Sequence, residues 1–141
     1  MANIVLDTNV LISALRSNRS ASFKLLTLVG TGRFEIGLSV PLVLEYEDIL
    51  RRQTGTAIAL SEAEIGDVLD YLCSVAQHYR VYYLWRPVLP DPRDDMVLEL
   101  AVSAECHSIV TYNVSDFMGS KHFGIQVITP KTLLENLEGI S

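Results

Sequence analysis

Acidic residues lie close to the ends of several short apolar segments in this chain. The set consists of Asp7, Glu45, Asp94 or Asp95, and Asp116. Carboxylates within about 4–6 Å of one another raise each other's pKa unless a cation neutralises their charge. Mg²⁺ prefers oxygen ligands, and a bound divalent ion polarises phosphodiesters and activates water. If folding brings these acids together, the chemistry that they favour is metal-assisted phosphodiester hydrolysis.

Each acid also has a purely structural interpretation. Asp7 could be a helix N-cap, because aspartate is favoured at that position. Glu45 lies among apolar neighbours, and an unpaired carboxylate that is buried there would be energetically costly. Two further acids follow it closely, so Glu45 could instead belong to a solvent-exposed helix face. Asp94 and Asp95 would complement a helix dipole, and Asp116 would cap a turn. Four such placements in one chain favour a shared site over four separate structural roles.

Short apolar segments alternate with helical patterns along the chain. Strands are predicted at residues 3–6, 34–38, 80–84, 108–111 and 125–128. Ser61 and Glu64 form a capping box before one helix, and Thr129 is the predicted N-cap of the last. This alternation is typical of a parallel sheet covered by helices on both faces. Ligands of such sheets bind beyond the carboxyl ends of the strands, which is where the acids occur.

The composition indicates one folded domain over residues 1–141. A hydrophobic content of 49% excludes a disordered chain, and no apolar stretch reaches the length of about 18 residues that a membrane-spanning helix requires. Cys73 and Cys106 lack metal-site spacing, and with no signal-peptide pattern they predict a reduced, cytoplasmic protein.

The charge balance restricts the partners of the chain. Eleven Lys and Arg residues against 17 Asp and Glu residues give a net charge of −6, which opposes nucleic-acid binding unless cations or a local basic patch compensate. The mean hydropathy of +0.27 is high for a small domain and is consistent with an apolar surface that a partner subunit covers.

Three segments resemble the motifs of PIN-domain ribonucleases. Residues 5–10 (VLDTNV) resemble the opening D-T-N motif, residues 95–101 (DMVLELA) the D-x-x-L-x-x-A helix, and residues 109–117 (IVTYNVSDF) the T-x-N/D-x-x-D-F segment. Glu45 lies where that family has its second acid. The motifs occur in order over essentially the whole chain. Within the family, the chain length and the loop at residues 91–95 most resemble those of the VapC-like toxin components of type II toxin–antitoxin modules.

The resemblance implies a Rossmann-like α/β fold, a three-layer α/β/α sandwich around a central parallel sheet. It also implies Mg²⁺- or Mn²⁺-dependent endonucleolytic cleavage of single-stranded RNA, a cognate antitoxin and a homodimer. Asp7, Glu45 and Asp95 would then form the acidic core, with Asp116 as the fourth acid. Asp7 and Asp95 would bind the metal directly, and Glu45 would orient a metal-bound water or assist proton transfer. Asn9 and Thr111 would support these side chains by hydrogen bonding.

Two points of the motif stay open. Many members of the family have Asp two residues after the threonine, whereas this chain has Asn113, an oxygen donor without charge, so the number of metal ions is undecided. Asp94 is the alternative to Asp95 if the helix register differs by one residue.

Basic residues and other functions complete the set of hypotheses. Arg16, Arg19 and Lys24 follow the first motif and are candidates for contacts with RNA phosphates, with ordinary solvated charges as the alternative.

A non-catalytic binding module is consistent with Asn113. A phosphatase with Asp7 as nucleophile is a further alternative, although Asp7-Thr8-Asn9 departs from the D-x-D motif of such enzymes and no lysine follows in a matching context.

Overall fold

The computed structural model describes residues 2–81 and 89–138. Within these residues, five strands form one parallel sheet in the order β3-β2-β1-β4-β5. The strands are β1 (Ala2–Leu6), β2 (Phe34–Leu38), β3 (Gln77–His78), β4 (Ser108–Val110) and β5 (Gln126–Ile128). The parallel sheet that the sequence predicts is therefore present.

Helices connect the strands and make the fold a three-layer α/β/α sandwich, as predicted. They are α1 (Thr8–Arg16), α2 (Ala21–Leu28), α3 (Val40–Arg52), α4 (Glu62–Val75), α5 (Pro92–Ser103) and α6 (Pro130–Leu137), with a 3₁₀ helix at Val114–Phe123. Side-chain caps determine where several of them begin. The Ser61 hydroxyl accepts the Glu64 N–H while the Glu64 carboxylate accepts the Ser61 N–H, and Thr129 caps α6. None of these helices is long and apolar enough to cross a membrane.

The buried strand β1 lies at the centre of the sheet. Ile4 pairs with Ile36 of β2 on one side, and Leu6 pairs with Val110 of β4 on the other. From β1 the chain proceeds to β2 and β3 in one direction and later to β4 and β5 in the other, so the strand order reverses between β1 and β4. Open α/β sheets bind ligands at this kind of reversal, beyond the carboxyl ends of the strands.

The third strand differs from its prediction. We expected it at residues 80–84, but β3 comprises only Gln77 and His78, and Arg80 and Val81 are not in a strand. Residues 82–84 lie outside the described part of the chain. The reason is the pairing partner: Gly37 and Leu38 end β2 opposite these two residues, and the Tyr79 N–H donates the last hydrogen bond to the Leu38 carbonyl (2.9 Å).

Candidate functional site

Asp7 lies at the carboxyl end of β1 and is the N-cap of α1. Its Oδ1 accepts the Thr8 N–H (2.8 Å), and its Oδ2 accepts the Thr111 hydroxyl (2.8 Å). The side chain is only 7% exposed. Both interpretations of Asp7 are thus compatible, because the carboxylate caps a helix and still faces a cavity.

Thr111 organises the carboxyl end of β4 around Asp7. It is fully buried, and its Oγ1 accepts hydrogen bonds from Asn9 Nδ2 (3.3 Å) and from the Asn113 N–H (3.0 Å) while it donates to Asp7. Asn9 also accepts the Tyr112 N–H (3.4 Å). These bonds join the residues after β1 to the residues after β4, and the supporting role of Asn9 and Thr111 stays a prediction.

The electrostatics of Asp7 show which acids lie near it. Burial raises the pKa of Asp7 above its ordinary value of 3.8, and the hydrogen bonds from Thr111 and Thr8 oppose this rise. The negative charges of Glu45 and Asp116 raise the pKa of Asp7 further. Glu45 and Asp116 are therefore both close enough to Asp7 to affect the charge of its carboxyl group.

The acid of α5 that lines the cavity is Asp94, the alternative that the sequence leaves open, and the catalytic role of Asp94 or Asp95 stays a prediction. Asp94 lines the cavity next to Asp7, whereas the Asp95 carboxylate accepts the Leu89 N–H (3.1 Å) and is not among the cavity residues. Adjacent residues of an α-helix point about 100° apart, so the carboxyl groups of Asp94 and Asp95 project in different directions. The N-cap of α5 is neither of them: it is Asp91, which accepts the Arg93 N–H (3.0 Å).

The pKa of Asp94 rises from 3.8 to about 6. Burial is the main cause, and the charges of Asp7, Asp91 and Asp116 add to it, while Arg93 lowers the pKa. A carboxyl group that releases its proton near neutral pH is typical of sites where like charges are brought together for a function.

The cavity that these residues share, here called the acid cavity, has a volume of about 200 Å³. Its polar and charged lining comprises Asp7, Thr8, Asn9, Glu45, Asp91, Arg93, Asp94 and Asn113. Asn113 begins the 3₁₀ helix without a side-chain capping bond. Apolar side chains of α1, α3 and α5, including Ile12, Leu42 and Val97, form the remaining wall.

The acid cavity has the oxygen donors that a hard divalent cation requires. Among residues 2–81 and 89–138, no three His, Cys, Asp or Glu side chains stand in an arrangement that would by itself hold a metal ion. Mg²⁺ usually keeps several waters and binds through one or two carboxylates. The side chains present therefore fit a hydrated ion at Asp7 and Asp94 and do not fit a fully protein-coordinated cage.

The three predicted phosphate-binding residues have different surroundings. Arg16 lines a second cavity beside the acid cavity, and Arg16 and Arg19 line a third one beyond it. Lys24 lines neither of these two cavities. Its exposed ammonium group forms an ion pair with Glu138 (2.9 Å), and its role in phosphate binding stays a prediction.

Sequence reasoning missed Arg93 and Tyr112. Arg93 lines the acid cavity and pairs with Asp91 (3.5 Å), and Tyr112 lines the cavity beside it. A signal for both existed, because Arg93 precedes Asp94 directly and Tyr112 lies between Thr111 and Asn113.

Comparisons with known proteins agree with the observed fold. The sequence matches the PIN domain family over residues 3–115, a range that includes Asp7, Glu45, Asp94 and Thr111 and ends one residue before Asp116. The fold is similar to a chain in the crystal structure of VapBC2 from Rickettsia felis bound to a DNA fragment from their promoter. That match has a TM-score of 0.58 and 14% sequence identity, and it covers 90% of this chain and 98% of the other. No curated protein matches the sequence.

Proposed function

This chain belongs to the PIN-domain family, and we propose that it is a metal-dependent endoribonuclease that cleaves single-stranded RNA. PIN domains are generally nucleases that use divalent metal ions. The observation that carries the proposal is the acid cavity, around which carboxylates from four separate segments act on one another. They are Asp7, Glu45, Asp94 and Asp116.

The residues of the acid cavity have distinct roles in this proposal. Mg²⁺ or Mn²⁺, held by Asp7 and Asp94, would polarise the phosphodiester and lower the pKa of the attacking water. The Thr8 N–H and the Thr111 hydroxyl hold the Asp7 carboxylate in one orientation. Glu45 lines the same cavity from α3 and would accept a proton from the attacking water. Asp116 adds negative charge that favours a cation, and Asn113 offers an uncharged oxygen.

Local positive charge supports an RNA substrate despite the net charge of −6. Arg93 lines the acid cavity, and Arg16 and Arg19 line the cavities beyond it. Guanidinium groups bind phosphates through paired hydrogen bonds. An RNA strand whose scissile phosphate lies at Asp7 and Asp94 would thus contact arginines rather than acids where it continues past the acid cavity.

We further propose that the protein is the toxin of a toxin–antitoxin module, that it forms a homodimer, and that it acts in the cytoplasm. The VapC-like sequence features and the similarity to a chain of the VapBC2 structure support this proposal. Val40 and Leu44, one turn apart on α3, are 73% and 59% exposed, and such apolar side chains suit contact with another protein. Expression of the chain alone should arrest growth, and expression of Asp7→Asn should not. Equal growth in both cases would contradict the toxin assignment.

Cleavage of a defined single-stranded RNA with Mn²⁺ tests the nuclease proposal. We expect Asp7→Asn to abolish cleavage without unfolding, because the amide keeps the shape of the side chain but lacks its charge. EDTA should have the same effect on the wild type. Asp67→Asn, the same replacement on the exposed side of α4, is the matched control and should cleave normally. Unchanged cleavage by Asp7→Asn would overturn the proposal.

A non-catalytic RNA-binding module is the second candidate, because Asn113 stands where many family members have an acid. Retained RNA binding without any Mn²⁺-dependent cleavage would favour this candidate. Weakening of RNA cleavage on removal of Mn²⁺ would exclude it.

A further inference from the structure

A second cavity lies next to the acid cavity. It has a volume of about 640 Å³, and we call it the Tyr112 cavity. Asn9 and Ile12 line both cavities, so the two cavities are adjacent at these residues. Ser13, Arg16, Gln53 and Tyr112 complete most of its wall. A volume between about 300 and 1,000 Å³ is typical of sites for small molecules and cofactors, which includes the size of a nucleoside.

Tyr112 is held in place although 44% of its surface is exposed. Its hydroxyl forms a short hydrogen bond with the Ser22 hydroxyl and accepts a second one from Ser13 (3.4 Å), and its N–H donates to Asn9. These bonds hold the ring by its hydroxyl group, while the exposed part of the residue remains accessible to another contact. The ring therefore loses little conformational entropy when a flat partner stacks on it.

The neighbours of Tyr112 along the chain relate it directly to the acid cavity. Thr111 donates its hydroxyl hydrogen bond to Asp7, and Asn113 lines the acid cavity, while Tyr112 between them lines the next cavity. A nucleic-acid strand with one phosphate at Asp7 would thus bring an adjacent nucleoside to the Tyr112 ring.

We propose that the Tyr112 cavity binds the nucleoside next to the scissile phosphate, with the base stacked on the Tyr112 ring. This inference rests on the proposed nuclease function. The amide group of Gln53, which lines this cavity, is able to donate to and accept from a base edge. Arg16 is exposed and forms no ion pair with another described residue, so its guanidinium is available to the following phosphate. Aromatic stacking with neighbouring cationic groups is the usual way to bind single strands without strict sequence preference.

The test is the affinity of the full chain for a short fluorescein-labelled single-stranded RNA, measured by anisotropy in EDTA so that no cleavage occurs. Tyr112→Leu should weaken binding by about 5- to 100-fold, the factor that corresponds to one stacked base. Tyr112→Phe keeps the ring and should stay within about threefold of the wild type. Tyr71→Leu is the matched control, because Tyr71 is also half-exposed and bonded through its hydroxyl, to the Val29 carbonyl, but lines neither cavity.

A strand with the same backbone but no bases separates stacking from a structural effect. The wild type should bind it more weakly than the intact RNA, and Tyr112→Leu should cause little further loss on it. If Tyr112→Leu binds the intact RNA like the wild type, or weakens both strands by the same factor, the inference is overturned. Failure of the nuclease proposal would be visible separately, as absence of Mn²⁺-dependent cleavage by the wild type.

Discussion

Replacement of Asp94 by Asn should stabilise the metal-free protein at neutral pH. The pKa of Asp94 is raised from 3.8 to about 6 in the folded state, mainly by burial. The folded protein therefore disfavours the charged carboxylate that the unfolded chain tolerates. For an acid whose pKa is raised on folding, stability is lost as the pH rises from about 4 through 6. Asn removes the charge and with it this loss.

The difference between 3.8 and about 6 sets the size of the effect. It corresponds to at most about 3 kcal/mol. Because Asp94 is partly exposed, solvent screening reduces the expected gain to about 1 kcal/mol. For a chain of this size that gain raises the melting temperature by about 3 °C. The gain should be largest near about pH 7.5 and about a third as large near pH 4.5, where the folded wild type is mostly protonated at this position.

Thermal unfolding in EDTA at the two pH values measures this difference directly. Asp67→Asn, on the exposed side of α4, should melt like the wild type at both and controls for the general effect of removing one acid. Saturating Mn²⁺ should raise the melting temperature of the wild type more than that of Asp94→Asn, since a ligand that binds the folded state stabilises it. If Asp94→Asn melts at or below the wild-type temperature near pH 7.5 without metal, the inference that burial and neighbouring charges raise the pKa of Asp94 is refuted.

Two further substitutions test the hydrogen bonds that hold the site. Thr111→Val removes the bond to Asp7 Oδ2 with almost no change in shape, and it should lower the rate of RNA cleavage about 10- to 100-fold; a cleavage rate equal to the wild type would show that the orientation of Asp7 is not limiting. Tyr46→Phe removes the hydrogen bond from the buried Tyr46 hydroxyl to the Leu6 carbonyl. It should lower the free energy of unfolding, measured by urea denaturation, by about 1–3 kcal/mol. An unchanged denaturation midpoint would show that this bond does not contribute to stability.

Local signals explain why much of the fold can be predicted from the sequence. The residues that begin the helices interact mainly within one turn, as in the Ser61 capping box and the Thr129 cap, so their effect survives without knowledge of the rest of the chain. The position of Asp7 at the end of β1 follows from the apolar run before it. β3 was misplaced because its extent depends on where β2 ends, which is a contact between distant segments.

The apolar residues of α5 explain why the sequence favours Asp95 but leaves Asp94 as an alternative. Val97, Leu98, Leu100 and Ala101 are all buried, so apolar residues cover several sides of the helix and no single polar face indicates its orientation. The helix begins at Pro92 and is capped by Asp91, so both Asp94 and Asp95 lie in its first turn. Only the packing of α5 against β1, β2 and β4 decides which of the two acids reaches Asp7.

Calorimetric titration of Mn²⁺ into the wild type and three Asp→Asn variants tests the central claim most directly. We expect Asp7→Asn and Asp94→Asn to weaken binding by about tenfold or more, because each removes a charged oxygen ligand. Asp95→Asn keeps an oxygen that accepts the Leu89 N–H and should bind Mn²⁺ like the wild type. Equal affinity in all four proteins, or a loss confined to Asp95→Asn, would contradict the account.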